Sequence, residues 1–332
     1  MRYRRVGDAG MRISEVSLGG WINYGEGKVE QDQARAVVEA AYELGINFFD
    51  LADIYGKGAA EQQMGAVLAQ YPRHTLVISS KVYWPMSGDP NDRGLSRKHI
   101  MESVDKSLAR LGTDYLDIYF CHRPDPETPV LETARAMHDL ITRGKILYWG
   151  TSEWLAPQLE EAYRVCEEHN LYKPQVEQPQ YSMLNREPVE SSVLPVAAAH
   201  GTGLVCWSPL AMGMLTGKYD EGVPPASRFA RESWAQDRFY SEENRARVRN
   251  LREVADGLGI TRSQLALAWI LRHENVSSVI TGATRPEQVR ENVAAAGVTL
   301  ETWVRRDYQP FWLNLIWALI ALVAIVHLVR IF

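Results

Sequence analysis

Three cysteines in 332 residues, Cys121, Cys166 and Cys206, are too few and too scattered for a disulfide framework. No C-x-x-C pair occurs, which removes the usual zinc ribbons and dithiol redox sites; no metal centre is expected. Two of the three lie in apolar strand-like runs and read as reduced core thiols. Charge of one sign is also scarce. A formal net charge of −5 leaves no basic surface for nucleic acid. No apolar stretch follows the basic start Met1–Gly7, so no secretory signal is expected there. Two phosphate-cradling motifs are missing as well. Leu18-Gly19-Gly20-Trp21 lacks the G-x-G-x-x-G spacing of a Rossmann turn, and there is no P-loop.

What is present is an alternation. A short hairpin is expected first, with Arg2–Val6 and Met11–Val16 joined at Asp8-Ala9-Gly10. Eight short apolar runs rich in β-branched and aromatic residues follow. They are Val16–Gly20, Asn47–Ala52, Thr75–Val82, Tyr115–His122, Ile146–Ser152, Gln175–Tyr181, Gly203–Pro209 and Ser277–Ala283. Helical patterns intervene at Gln31–Leu44, Ser96–Leu111, Val130–Arg143, Ala156–His169 and Ser241–Leu258, with Ser96 as an N-cap. Eight β/α units without an obvious linker indicate an α/β fold closed as a (β/α)8 TIM barrel; a doubly wound sheet fits less well. The segment Leu210–Tyr240 reads as an irregular insertion over the catalytic face.

Three strand-like runs end on reactive groups. Asp50 closes the run in N-F-F-D-L-A-D-I-Y-G, Lys81 closes L-V-I-S-S-K, and His122 closes Y-L-D-I-Y-F-C-H. Tyr55 follows Asp50 just before a glycine turn. At the carboxyl ends of barrel strands these groups converge. Asp50 would keep Lys81 charged and in place. The ammonium is expected to lower the phenol's pKa from about 10, making Tyr55 a proton donor to a carbonyl oxygen oriented by His122. Asp53 is expected to hold the loop that presents Tyr55. Each group alone has a bland reading as packing or a structural ion pair; their shared position at strand ends weighs against it.

The C-terminus breaks the pattern. Phe311–Phe332 contains only Asn314, His327 and Arg330 as polar side chains, preceded by Arg305 and Arg306 and flanked by Trp303, Tyr308, Trp312 and Trp317. About 20 such residues span the ~30 Å hydrocarbon core of a bilayer. The reading is a barrel domain over 1–300, a juxtamembrane linker over 301–310 and a single transmembrane helix over 311–332. The catalytic domain would be cytoplasmic and tethered to a membrane; a buried terminal helix, or an appended or frameshifted segment, is the alternative.

F-F-D-L-A-D-I-Y-G, R-G-L-S-R-K-H-I (Arg93–Ile100), H-R-P-D-P (His122–Pro126), Y-W-G-T-S-E-W (Tyr148–Trp154), V-E-Q-P-Q-Y (Val176–Tyr181), W-S-P-L-A-M-G (Trp207–Gly213), G-K-Y-D (Gly217–Asp220) and G-A-T-R-P-E-Q-V-R-E-N (Gly282–Asn292) together carry a resemblance over about residues 1–300. The chain resembles the aldo-keto reductases, and among them the branch of voltage-gated potassium channel β subunits and their bacterial relatives. The resemblance implies a barrel that binds NADPH without a Rossmann motif, and a tetrad of Asp50, Tyr55, Lys81 and His122. It implies that Ser152 and Gln178 hold the nicotinamide carboxamide, that Trp207 stacks on the ring and that Trp21 lies near it and the substrate. Ser208, Leu210 and Lys218 match pyrophosphate positions, and Arg228 another dinucleotide contact. Gly282, Thr284, Gln288, Glu291 and Asn292 match the adenosine end. The implied activity is NADPH-dependent reduction of a small carbonyl substrate; a redox-sensing subunit of a membrane protein is the alternative, and a homo-tetramer is implied. Three departures stand out. His122 replaces the Asn common in the channel subunits, Glu153 replaces a basic residue, and Ala226 replaces an aromatic near the cofactor clamp. Beyond about Leu300 the resemblance stops.

Overall fold

The computed structural model describes residues 1–25, 29–225 and 227–300. The proposed membrane helix over 311–332, its linker and Ala226 lie outside the described residues. Among the described residues no helix is long and apolar enough to cross a membrane.

A hairpin opens the chain, with β1 (Tyr3–Arg5) antiparallel to β2 (Arg12–Ser14). Eight strands then close a parallel barrel: β3 (Val16–Gly19), β4 (Phe48–Asp50), β5 (Val77–Val82), β6 (Leu116–Cys121), β7 (Ile146–Ser152), β8 (Val176–Gln178), β9 (Gly203–Trp207) and β10 (Val276–Thr281), with β10 returning to β3. The expected (β/α)8 barrel is therefore observed, and each sequence-read strand overlaps one of these. The strands are shorter by a residue or more at most ends. The helices α1 (Gln31–Glu43), α2 (Ala59–Leu68), α3 (Arg97–Leu111), α4 (Val130–Thr142) and α5 (Ala156–Glu168) pack outside, followed by α6 (Leu194–Ala199). Ser96 caps α3 by accepting from the backbone N–H of His99 at 3.3 Å.

Strand parity divides the core in two, since successive side chains point to opposite faces. Phe48, Val77, Ile118, Phe120, Val176, Val205 and Ile280 fill the barrel, together with Val6, Ala9 and Ile13 of the hairpin. The larger cluster, including Phe49, Tyr119, Cys121, Trp149, Leu204 and Cys206, lies between sheet and helices. The hairpin is thus a plug in the amino-terminal mouth. Asp8 donates its N–H to Gly201 O at 2.8 Å, and Ser277 Oγ donates to Arg5 O at 2.8 Å. The fit is close: a Cβ on Gly203 would come within 2.4 Å of Gly7 N.

The Leu210–Tyr240 segment is irregular only in part. It contains a 3-10 turn at Ala211–Thr216 and two short helices, α7 (Arg228–Arg231) and α8 (Ser233–Phe239). Its helices are too short to leave a periodic signal in sequence. The described residues end with α9 (Glu242–Gly257), α10 (Arg262–Leu271) and α11 (Pro286–Val293).

Candidate active site

With the amino-terminal mouth plugged, the parity that fills the barrel leads polar residues to the open mouth. Phe48 points inward, so Asp50 does too. Val77 leads to Ser79 and Lys81, Phe120 to His122, and Val176 to Gln178. The register sets Asp50 opposite Ser79, and Ser152 opposite Gln178.

Lys81 is fully buried, and its three N–H donors meet three acceptors. Nζ donates to Asp50 Oδ2 at 2.7 Å, to Leu51 O at 2.7 Å and to Tyr55 Oη at 3.2 Å. Asp50 Oδ1 accepts from Ser79 Oγ at 2.7 Å and from Gln178 Nε2 at 3.0 Å. The costly carboxylate is therefore fully engaged. Burial pulls the Lys81 pKa down, and Asp50 opposes this. Tyr55 departs from expectation. Burial, then Asp50, hold its phenol well above the usual range, against the opposing pull of Arg123. Desolvation of a phenolate at this depth is the largest effect on it. The phenol stays protonated at neutral pH, as a proton donor must be.

His122 lies one residue past β6, its ring centroid 5.9 Å from that of Tyr55. Burial, then Lys81 and Arg123, hold its pKa well below the usual imidazole range, so the ring is neutral. Asp53 stands behind the site. It is buried, accepts from Ser103 Oγ at 3.0 Å, and donates its own N–H to Lys81 O at 3.4 Å. Burial, then neighbouring Glu61, raise its carboxyl to about 7.

One cavity of about 740 Å³ runs from these groups along the mouth, within the size range of small-molecule sites. Asp50, Tyr55 and His122 line it, as do Trp21, Ser152, Gln178, Trp207, Ser208, Leu210, Lys218, Arg228, Gly282, Thr284, Gln288, Glu291 and Asn292. Every site residue read from sequence except Lys81 thus reaches one wall; Lys81 stands behind Tyr55. Sequence reading passed over Asn23, Trp84, Arg123, Arg231 and Arg285, which also line it. Arg123 directly follows His122, and Arg285 sits inside the last quoted motif, so position beside a recognised residue was the available signal.

The mouth is conformationally strained. Ile22, Lys57, Glu153, Ser208, Ala211 and Met212 all have positive φ, a conformation that L-residues seldom adopt. Glu153 anchors Trp207: its Oε1 accepts from the indole Nε1 at 2.9 Å and from Gln180 N at 2.5 Å. Elsewhere in the lining, Arg228 Nη2 donates to Asn23 Oδ1 at 3.0 Å. Lys218, Arg228, Arg231 and Arg285 gather there. Lys218 is pushed down to about 8 by burial and then by the three arginines. Among the described residues, Lys218, Arg228 and Arg231 form no salt bridge with a carboxylate. Asn23 Nδ2 and Ser227 Oγ are buried without a hydrogen-bond partner. Such a pole asks for an anion.

The family model described as "Aldo/keto reductase family" matches residues 15–304. The chain belongs to the aldo/keto reductase family. It is 45% identical over 303 residues to a protein of Arabidopsis thaliana called "Probable voltage-gated potassium channel subunit beta". A protein of the same description from Oryza sativa subsp. japonica is also 45% identical over 303 residues. In both cases the match covers 90% of this chain and 92% of the relative. The chain thus falls in the channel-β-like branch of this oxidoreductase family, whose members typically bind a nicotinamide dinucleotide. The cavity fits that group on its own evidence: a cationic pole with orphaned polar atoms at one end, and a tryptophan wall beside the tyrosine at the other.

Proposed function

We propose that the cavity is the active site of an NADPH-dependent reductase of aldehydes and ketones. The observation that carries the reading is the pairing of protonated Tyr55 with a fully satisfied Lys81 behind it, with Tyr55 and neutral His122 both facing the cavity. Bound there, the reduced nicotinamide supplies a hydride to the carbonyl carbon. Tyr55 hands its proton to the carbonyl oxygen as charge develops there. Lys81 stabilises the phenolate left behind, and Asp50 keeps that lysine charged. The neutral His122 ring orients the oxygen by a hydrogen bond. Trp207, held by Glu153, would stack on the nicotinamide, Ser152 and Gln178 would hold its carboxamide, and Trp21 would lie near it and the substrate. Ser208, Leu210 and Lys218 take the pyrophosphate, and Arg228 braces it. Gly282 and Thr284 ahead of α11, with Gln288, Glu291 and Asn292 along it, would take the adenosine end; N–H groups at the start of that helix favour phosphate. Four cations at this pole favour NADPH over NADH, because a 2′-phosphate adds negative charge.

The names of the plant relatives favour a second reading, a redox-sensing subunit of a membrane protein. The Phe311–Phe332 segment, read from sequence as a membrane anchor on a barrel domain of residues 1–300, accords with it. Cofactor oxidation followed with a panel of aldehydes separates the two. The reductase reading expects many turnovers per protein molecule. A single slow turnover with retained cofactor would make the protein a sensor.

A further inference from the structure

The cavity has a second cationic point, far from the phosphate pole. Arg123 lines the wall beside His122. Its Nη1 donates to His122 O at 2.5 Å and lies 3.5 Å from Ser152 Oγ. The guanidinium rests over Trp84, 5.6 Å from the ring centroid. It has five N–H donors, and these two contacts are the only hydrogen bonds it makes among the described residues. No carboxylate there comes within ion-pair distance of it. The nearby acids are committed elsewhere. Asp50 holds Lys81, Glu153 Oε1 holds Trp207 and Gln180, and Asp125 accepts from Leu95 N, Glu127 N and Thr128 Oγ1. The charge is felt at the chemistry, since Arg123 acts electrostatically on Tyr55, Lys81 and His122 alike.

Tryptophans dominate the rest of this end. Trp21, Trp84 and Trp234 are 36%, 37% and 39% exposed, whereas Trp149 and Trp269 are fully buried. Trp21 stands 6.4 Å from Tyr55, 5.6 Å from Trp234 and 5.5 Å from Trp207, ring centre to ring centre. A guanidinium resting on an indole face beside more open tryptophans matches a planar ligand with an anionic edge.

We propose that Arg123 is a carboxylate anchor and that the preferred substrates are aromatic aldehydes or ketones carrying a carboxylate. The proposal rests on the reductase reading above. Arg123 sets specificity: it holds the substrate's anionic group while Tyr55 and His122 face the carbonyl. A bidentate pair with a carboxylate would use donors that the protein leaves open.

Two matched pairs test this, phenylglyoxylate with its methyl ester and 4-carboxybenzaldehyde with its methyl ester. Intrinsic reactivity differs within a pair, so the readout is the change in the acid-to-ester ratio of kcat/KM between wild type and variant. Arg123→Met is expected to lower that ratio at least tenfold in one pair or both, through KM for the acid; Arg123→Lys is expected to restore part of it. Sodium benzoate is expected to compete with benzaldehyde in the wild type at least tenfold better than benzamide does, a comparison that needs no variant. An unchanged ratio in a folded Arg123→Met protein, or equal inhibition by benzoate and benzamide, would overturn the anchor. Either result leaves the reductase reading intact so long as benzaldehyde is reduced. If no carbonyl is turned over although NADPH binds, the reductase reading fails and the anchor falls with it.

Discussion

A lysine with no exposed surface is tolerated here because each of its three hydrogens is met, one of them by a carboxylate. Removing that carboxylate strands a buried charge. Asp50→Ala is expected to cost about 3–5 kcal/mol in stability by urea titration, the usual penalty for breaking a buried ion pair from one side. His122 gives a prediction in pH. Its lowered pKa keeps the ring neutral through the ordinary imidazole range. The kcat profile should therefore show no inflection near ~6.5, the value for a free histidine. The tetrad itself was legible in sequence, because strand endings can be read from apolar runs. The direction of the Tyr55 shift was not, since it turns on burial depth, which sequence does not carry. Arg123 was missed for a related reason: an arginine after a histidine looks like any surface residue until the wall of the cavity is known.

At the scale of elements, two segments control what the site can hold. The first is the loop carrying Asp53 and Tyr55. Asp53 is a carboxyl whose folded pKa, about 7, lies above its unfolded value. The folded state therefore keeps a proton that the unfolded state has lost between about pH 4 and 7. Stability from this group falls as pH rises through that window and levels off above it. Asp53→Asn should flatten the fall by on the order of 1.4 kcal/mol per pH unit across the window, as read from denaturation at several pH values. Glu177 contributes with the same sign, its carboxyl being raised by burial to about 8, so some slope will remain. The second element is the turn after β9. Gly213 has a φ of 95°, and a Cβ there would sit 2.8 Å from Lys218 Nζ. Gly213→Ala should displace that ammonium and weaken NADPH binding more than it lowers the melting temperature. The regular strands and long helices were legible because periodicity marks them. The short helices of this segment were not, because four to seven residues hold too little pattern.

Over the whole molecule the barrel separates stability from chemistry. The hairpin seals one end, and the cationic pole, tryptophan wall and tetrad share the other, the usual side for barrel enzymes. Gly203→Ala at the sealed end is expected to destabilise by about 1–3 kcal/mol through overpacking against the hairpin backbone, with NADPH affinity unchanged. The opposite end should respond to salt instead. Raising ionic strength should weaken NADPH more than NADH, because screening acts on the extra phosphate. The fold and family were both readable because motifs spread over residues 1–300 agree with one another; the Phe311–Phe332 segment has no such cross-check. Carbonate washing of the full chain, compared with a version ending at Leu300, tests its reading as an anchor: the full chain should remain with membranes and the short one should not. The central claim is that Tyr55 is the proton donor of a carbonyl reductase, and Tyr55→Phe tests it most directly. NADPH affinity, followed by fluorescence titration, should stay within a few-fold of wild type, while kcat for an aldehyde falls by on the order of 10²–10⁴, the usual contribution of a general acid. Turnover preserved in that variant would contradict the account.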